Sequence, residues 1–318
     1  MSAKSFLHGR SDFPDLIRIV ADEHGILPAL VEKDYWIMHC LYGLAAQGFS
    51  YELKGGTSLS KGFGIINRFS EDIDLRIDPG KAGFEVFIGR NQDKPKHIES
   101  RKQFFDWLAQ EIRIDGIGAV ERDTEFDDEK YRSGGIRLRY NSNFEVIEGV
   151  KPGILLEVGF DDTTPNISIT ISSWALEKAL SASADIIDNR AIDVPCYHPG
   201  YTFVEKLQAV STKFRQAQQD PEKVPVNFLR HYYDISQLLD HPLVQEFIRT
   251  PRYSERKNER FRKDDEQIIA KNEAFLLRDT ATRERYVAAF TSTRNLYFGE
   301  APAFEDILKK IQSNIDRL

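Results

Sequence analysis

The stretch from Tyr51 to Leu75 constrains this chain more than any other. A strand-like Tyr51-Glu52-Leu53-Lys54 breaks at Gly55-Gly56, and Thr57-Ser58-Leu59-Ser60-Lys61 follows, which predicts a short helix over 57–63 begun by a hydroxyl N-cap. Strand-like alternation returns at Ile73–Ile77. Asp72 and Asp74 stand two apart in that extended segment, so their carboxylates share one face while Ile73 and Leu75 turn toward a core. Two like charges on one face want a cation, and hard carboxylate oxygens suit Mg²⁺, which usually shares its coordination with water and substrate phosphate. The glycine turn running into a helix offers backbone N–H groups, the Thr57 and Ser58 hydroxyls and a positive dipole end to an anion. It is not a P-loop, because no G-x-x-x-x-G-K-[ST] occurs. Either feature alone is commonly a solvated acidic pair or a capped turn; together they imply a nucleotide.

The rest of the composition narrows the class. With 318 residues, 41% hydrophobic and 29% charged, the chain is long enough for about two domains and too apolar for a disordered one. Its net charge of −7 excludes a molecule-wide field for nucleic acid, so a polyanionic partner needs a local basic patch. The two cysteines, Cys40 and Cys196, build neither a disulfide framework nor a four-thiolate zinc site, which fits a reducing cytoplasm. Met1–Arg10 lacks a signal-peptide core, and no run of about 18 apolar residues predicts a membrane span. The histidines form no H-E-x-x-H, and there is no G-x-S-x-G elbow, so zinc and serine hydrolases lack their signals.

Apolar spacing predicts helices over 13–21 and 30–44, a loop over 81–96, a helix over 100–114, and strands at 135–140, 154–160 and 167–171. Beyond His198-Pro199-Gly200 strand signals vanish, and 201–218, 228–239, 266–277, 282–290 and 304–315 read as helices. The expectation is an α+β chain with a mixed core over 1–198 and a helical domain over 199–318.

Lys54-Gly55-Gly56-Thr57-Ser58-Leu59-Ser60-Lys61 with Arg68-Phe69-Ser70-Glu71-Asp72-Ile73-Asp74-Leu75 resembles the signature of the AbiEii/AbiGii toxin family, within the DNA polymerase β-like nucleotidyltransferases. Glu32-Lys33-Asp34-Tyr35-Trp36 is similar to the segment that precedes that signature. The resemblance implies a nucleotidyltransferase-like mixed β-sheet flanked by helices, a helical C-terminal region, and Mg²⁺-dependent transfer of NMP from an NTP with loss of pyrophosphate. It further implies a toxin with a cognate antitoxin, acting on the 3′ end of tRNA, in which Asp72 and Asp74 bind metal and Gly55, Gly56, Thr57 and Ser58 grip the triphosphate. A third carboxylate is expected on a neighbouring strand. Glu157, inside the apolar Ile154–Phe160, fits that place, since a carboxylate there is costly without a cation or hydrogen-bond partner; the other reading is a strand-edge Glu facing water, and Asp161 and Asp162 compete. Glu205-Lys206-Leu207 and Arg230–Ile235 look like the family's later motifs. They imply that Lys206 neutralises phosphate charge and that Asp234 orients Lys206 or the attacking hydroxyl; the alternative is an exposed lysine and a surface Asp.

Two further features have two readings each. Arg68 either touches phosphate or pairs with Glu71. Arg249–Lys263 carries seven basic residues against Glu255 and Glu259, and is either a solvated face or an RNA patch with Tyr253 and Phe261 as stacking groups. Rival functions are transfer to a small molecule or protein, and a catalytically idle nucleotide-binding module.

Overall fold

The computed structural model describes residues 4–145, 150–219, 228–293, 297–298 and 302–318. The chain forms two compact units, one comprising residues up to Phe63 and Phe69–Tyr197, the other Gly64–Arg68 and His198–Leu318.

In the first unit, Phe13, Ile17, Val20 and Ala21 place a buried stripe on α1 (Phe13–His24), which ends at Gly25 in the left-handed region. Helix α2 (Pro28–Ala46) is buried on every side between Leu30 and Leu41. Strand β1 (Tyr51–Lys54) follows, and from it the chain turns directly into α3 (Gly55–Thr57), continued as a π-helical turn over Ser58–Gly62. The expected hydroxyl cap is therefore wrong. Lys54 occupies the cap position without a side-chain bond, and Gly55, at φ +70°, makes the turn.

Strand β2 (Asp72–Ile77) alternates as expected, with Ile73, Leu75 and Ile77 buried. Then come α4 (Pro95–Glu111), β3 (Ile117–Asp123), β4 (Ser133–Tyr140), β5 (Ile154–Gly159), β6 (Asn166–Ile171), α5 (Trp174–Ser181) and β7 (Ala191–Tyr197). The seven strands make one mixed sheet in the order β3-β4-β5-β2-β1-β7-β6. β2 runs parallel to β5 and antiparallel to β1, while β1 runs parallel to β7.

The second unit is helical. It holds α6 (Pro199–Ala217), α7 (Arg230–Leu238), α8 (Pro242–Ile248), α9 (Pro251–Arg260), α10 (Glu273–Leu276), α11 (Thr280–Thr291) and α12 (Phe304–Gln312). The helix expected over 266–277 is instead a single 3₁₀ turn at Ile269–Lys271 followed by the short α10. Asn272 divides it. This buried side chain accepts from the Ala274 N–H and donates to the Ser211 hydroxyl and the Glu266 carbonyl, so it caps a new helix instead of continuing one.

Candidate functional site

Register assembles the acidic face of the first unit. Lys54, Asp74, Glu157 and Gly135 are successive partners across β1, β2, β5 and β4, and Asp72 pairs with Leu155, which pairs with Arg137. Residues opposite one another share a sheet face, so Asp74 and Glu157 stand side by side with Asp72 two residues away on the same face. Burial first, then the charges of Asp74 and Asp72, push the Glu157 carboxyl up to about 7, opposed by Lys54 and Lys151. The Lys151 ammonium lies 3.6 Å from Asp72 Oδ2.

The glycine turn meets this face at one atom. A Cβ on Gly55 would sit 1.9 Å from Asp74 Oδ2, so the position needs glycine both for its positive φ and for the approach of the carboxylate. The Thr57 hydroxyl donates to the Asp72 carbonyl at 2.5 Å, which ties the turn to the start of β2. Ser58 is buried, its hydroxyl beside the Cys196 thiol, which burial pushes up to about 12. Gly56 is buried too.

Among the described residues, no group of three or more His, Cys, Asp or Glu side chains is arranged to hold a metal ion. The donor set still suits Mg²⁺. That ion is usually held by one or two carboxylates, with substrate phosphates and water completing its shell, and the paired hard oxygens of Asp72 and Asp74, with the Glu157 carboxyl beside Asp74 on the same sheet face, fit a cation of that kind. Of the competitors for the third carboxylate, Asp162 accepts from the Thr164 N–H and hydroxyl, and Asp161 lines a cavity with Arg90 and Arg132 beyond the end of β5.

Three successive charges of α2 border the face, and all three are buried. Glu32 accepts from the Ser142 hydroxyl at 2.6 Å and the Asn143 side-chain amide at 2.7 Å. Lys33 donates to Glu71 Oε2 and to the Lys151 carbonyl. Asp34 accepts from the Lys61 ammonium at 2.6 Å and the Trp174 N–H at 3.0 Å. The roles of Lys33, Lys54 and Lys151 were not assigned from sequence. For Lys33 the available signal is a charge inside an apolar helix; for Lys151 none exists, because its significance depends on cross-strand placement.

The second unit gathers Arg68, Lys206 on α6, and His231 and Asp234 on α7. Arg68 donates Nε and Nη2 to the two Asp234 carboxylate oxygens, each at 2.7 Å, and Lys206 Nζ donates to Asp234 Oδ2 at 2.6 Å. His231 Nδ1 lies 3.4 Å from the same ammonium. Burial alone would raise the Asp234 carboxyl, but the Arg68 and Lys206 charges hold it well below the usual carboxylate range. Burial lowers the Lys206 ammonium. Lys206 and Asp234 are thus neither an exposed lysine nor a surface Asp. Glu71, the other partner the sequence offers for Arg68, accepts from Lys33 and from the Lys151 N–H.

The basic run divides along α9. Arg256 is buried between Glu205 and Glu259, Lys257 donates to the terminal Leu318 oxygen, and Arg252 bonds Tyr201 and Glu259. Tyr253 and Phe261 are only 4% and 7% exposed, which overturns their reading as base-stacking groups: Tyr253 is buried within α9 and Phe261 just beyond its end. Arg249, Arg262 and Lys263 remain exposed. Part of the segment between Lys206 and Asp234, 220–227, lies outside the described residues.

A family model described as "Nucleotidyl transferase AbiEii toxin, Type IV TA system" matches residues 40–310. No curated protein matches the sequence. Among solved structures, MenT4, a nucleotidyltransferase toxin from Mycobacterium tuberculosis H37Rv, is 16% identical, with 92% of this chain and 98% of that chain covered at a TM-score of 0.40. A likeness of that size carries no argument of its own.

Proposed function

The chain belongs to the AbiEii nucleotidyl transferase toxin family of type IV toxin–antitoxin systems, and from that premise we propose that it transfers NMP from an NTP to RNA, at the 3′ end of tRNA, with pyrophosphate leaving. The observation that carries this reading is the face on which Asp72, Asp74 and Glu157 meet a glycine turn. Asp72 and Asp74 would hold Mg²⁺, with Glu157 beside them as the third carboxylate. Mg²⁺, when bound, neutralises phosphate charge and stabilises the attacking and leaving oxygens.

The protein's own groups supply orientation. Gly55 lets the backbone approach Asp74, and Thr57 fixes the Asp72 carbonyl. The backbone of Gly56, Thr57 and Ser58 is the triphosphate cradle in this reading. Lys206 is a phosphate countercharge and Asp234 its positioning residue, a role supported by the short contact between them. The tRNA acceptor rests on the family resemblance, with Arg249, Arg262 and Lys263 as exposed cations for RNA phosphates. A cognate antitoxin is the expected protein partner. Among the described residues, no helix is long and apolar enough to cross a membrane.

The test is incubation of the full chain with each α-³²P-labelled NTP, Mg²⁺ and total cellular RNA. Label in the tRNA band with pyrophosphate release is expected. Label on protein or on a small molecule would move the acceptor, and nucleotide binding without pyrophosphate release would leave an idle binding module.

A further inference from the structure

We propose that Lys151 is the resident countercation of Asp72, and that it leaves this carboxylate for substrate phosphate when a divalent cation arrives. The inference rests on the reading of Asp72 as a metal ligand.

The Lys151 backbone is held on both sides. Its N–H donates to Glu71 Oε2 at 2.9 Å, and its carbonyl accepts from Lys33 Nζ at 2.5 Å. Lys33 closes the ring by donating to the same Glu71 oxygen at 3.1 Å. Glu71 immediately precedes Asp72, so this ring locks the entry of β2 to the entry of β5 and sets Lys151 opposite Asp72. Lys33 is 2% exposed. A lysine that deep is costly unless paired, so its placement marks a joint whose geometry is specified.

The Lys151 side chain, in contrast, reaches solvent. It is 39% exposed, with its ammonium 3.6 Å from Asp72 Oδ2 and 4.3 Å from the centre of the Phe126 ring. An ammonium between a carboxylate and an aromatic face has two shallow sites and open water beside them. Charge decides when it leaves. Asp72, Asp74 and Glu157 share their face with Lys54 and Lys151, so the lysines offset part of the carboxylate charge. A divalent cation at Asp72 repels the nearby ammonium, while a polyphosphate attracts it. Lys151 therefore opposes binding of the bare ion and favours binding of the polyanion.

Opposite signs make the test decisive. Mn²⁺ binding is read from the free-ion EPR signal, and binding of inorganic tripolyphosphate to the Mn²⁺-loaded full chain is read by calorimetry. Lys151→Gln should raise Mn²⁺ affinity by roughly fivefold and lower tripolyphosphate affinity by a similar factor, and Lys151→Arg should restore both toward wild type. Unchanged or weaker Mn²⁺ binding in Lys151→Gln overturns the countercation, and unchanged tripolyphosphate binding overturns the exchange. Asp72→Asn separates the premise: if it binds Mn²⁺ like wild type, the metal reading itself is wrong and this inference goes with it. If it loses Mn²⁺ while Lys151→Gln changes nothing, only the inference fails.

Discussion

Gly55→Ala places the sharpest demand on the proposed site. Alanine must adopt the φ of +70° found there, which costs an L-residue about 1–2 kcal/mol. Its Cβ would also lie 1.9 Å from Asp74 Oδ2 and 2.6 Å from Cγ, whereas ordinary contact begins at 3.4 Å. The carboxylate or the turn must retreat by about 1.5 Å, and a misplacement of about 1 Å in a catalytic constellation costs about 100-fold in rate. The substituted protein should therefore stay folded, lose about 1–2 kcal/mol in urea denaturation, and drop about 100-fold in NTP-dependent pyrophosphate release. Gly48→Ala is the control. Its φ is +75° with nothing within 4 Å of the added methyl, so it should show the same stability loss with normal turnover. Pyrophosphate release by Gly55→Ala within threefold or so of wild type would refute the reasoning, because an Asp74 that can be displaced without consequence does not hold the metal ion of the reaction.

Asp234→Asn should destabilise the chain by about 3–5 kcal/mol, since it replaces by a neutral amide the carboxylate that the buried Arg68 and Lys206 share; a loss under about 1 kcal/mol in urea would deny the cluster a structural role. His39, 1% exposed, donates Nε2–H to the Asp115 carbonyl and takes Asn189 Nδ2 at Nδ1, and burial with nearby His8 pushes it down to about 4 from 6.5. The unfolded chain thus binds this proton more readily, so its stabilisation is complete above pH 6.5 and is lost as pH falls toward 4, by about 2–3 kcal/mol between pH 7 and 4.5. His39→Gln should flatten that dependence in denaturation series, and an unaltered acid slope would remove the assignment. Replacing the exposed Arg249, Arg262 and Lys263 by Gln should reduce the salt slope of RNA binding by about 1 for each RNA phosphate that is no longer neutralised, and an identical slope would leave the run without an acceptor role.

Legibility followed how local each determinant is. β2 was readable because Ile73, Leu75 and Ile77 alternate with Asp72, Asp74 and Arg76, and burial follows that alternation. The cap was misread because the Thr57 hydroxyl bonds the carbonyl of Asp72, fifteen residues on, in preference to the turn beside it. β3 escaped notice as an edge strand whose residues are all partly or fully exposed, with Glu121, Arg122 and Asp123 in its second half. β7 contains Pro195, which argues against a strand, yet it pairs with β6 there. α9 was hidden by its own charge. In Arg249–Lys263 the sequence shows the cations, whereas the partners that bury Arg256, Glu205 on α6 and Tyr201 beneath it, lie about fifty residues away.

The same logic explains how one helix can define the site. On an α-helix, successive side chains diverge by about 100°, so Glu32, Lys33 and Asp34 point in three directions from α2. On a surface helix at least one would face water, but α2 is buried on all sides there, and each charge must find a partner or carry a desolvation penalty of several kcal/mol. The partners lie on five separate segments: Ser142-Asn143 for Glu32, Glu71 and Lys151 for Lys33, and Lys61 and Trp174 for Asp34. Lys61 lies in the last part of the turn that begins at Gly55, Glu71 precedes Asp72, and Lys151 precedes the strand that carries Glu157. Apolar packing would tolerate small slips between these segments, whereas a hydrogen-bonded buried charge tolerates few, because its strength depends on distance and direction. The triplet therefore converts a greasy helix into a fixed reference for the glycine turn, the paired aspartates and the third carboxylate, and it does so with residues that touch none of the reacting atoms in the proposed reaction.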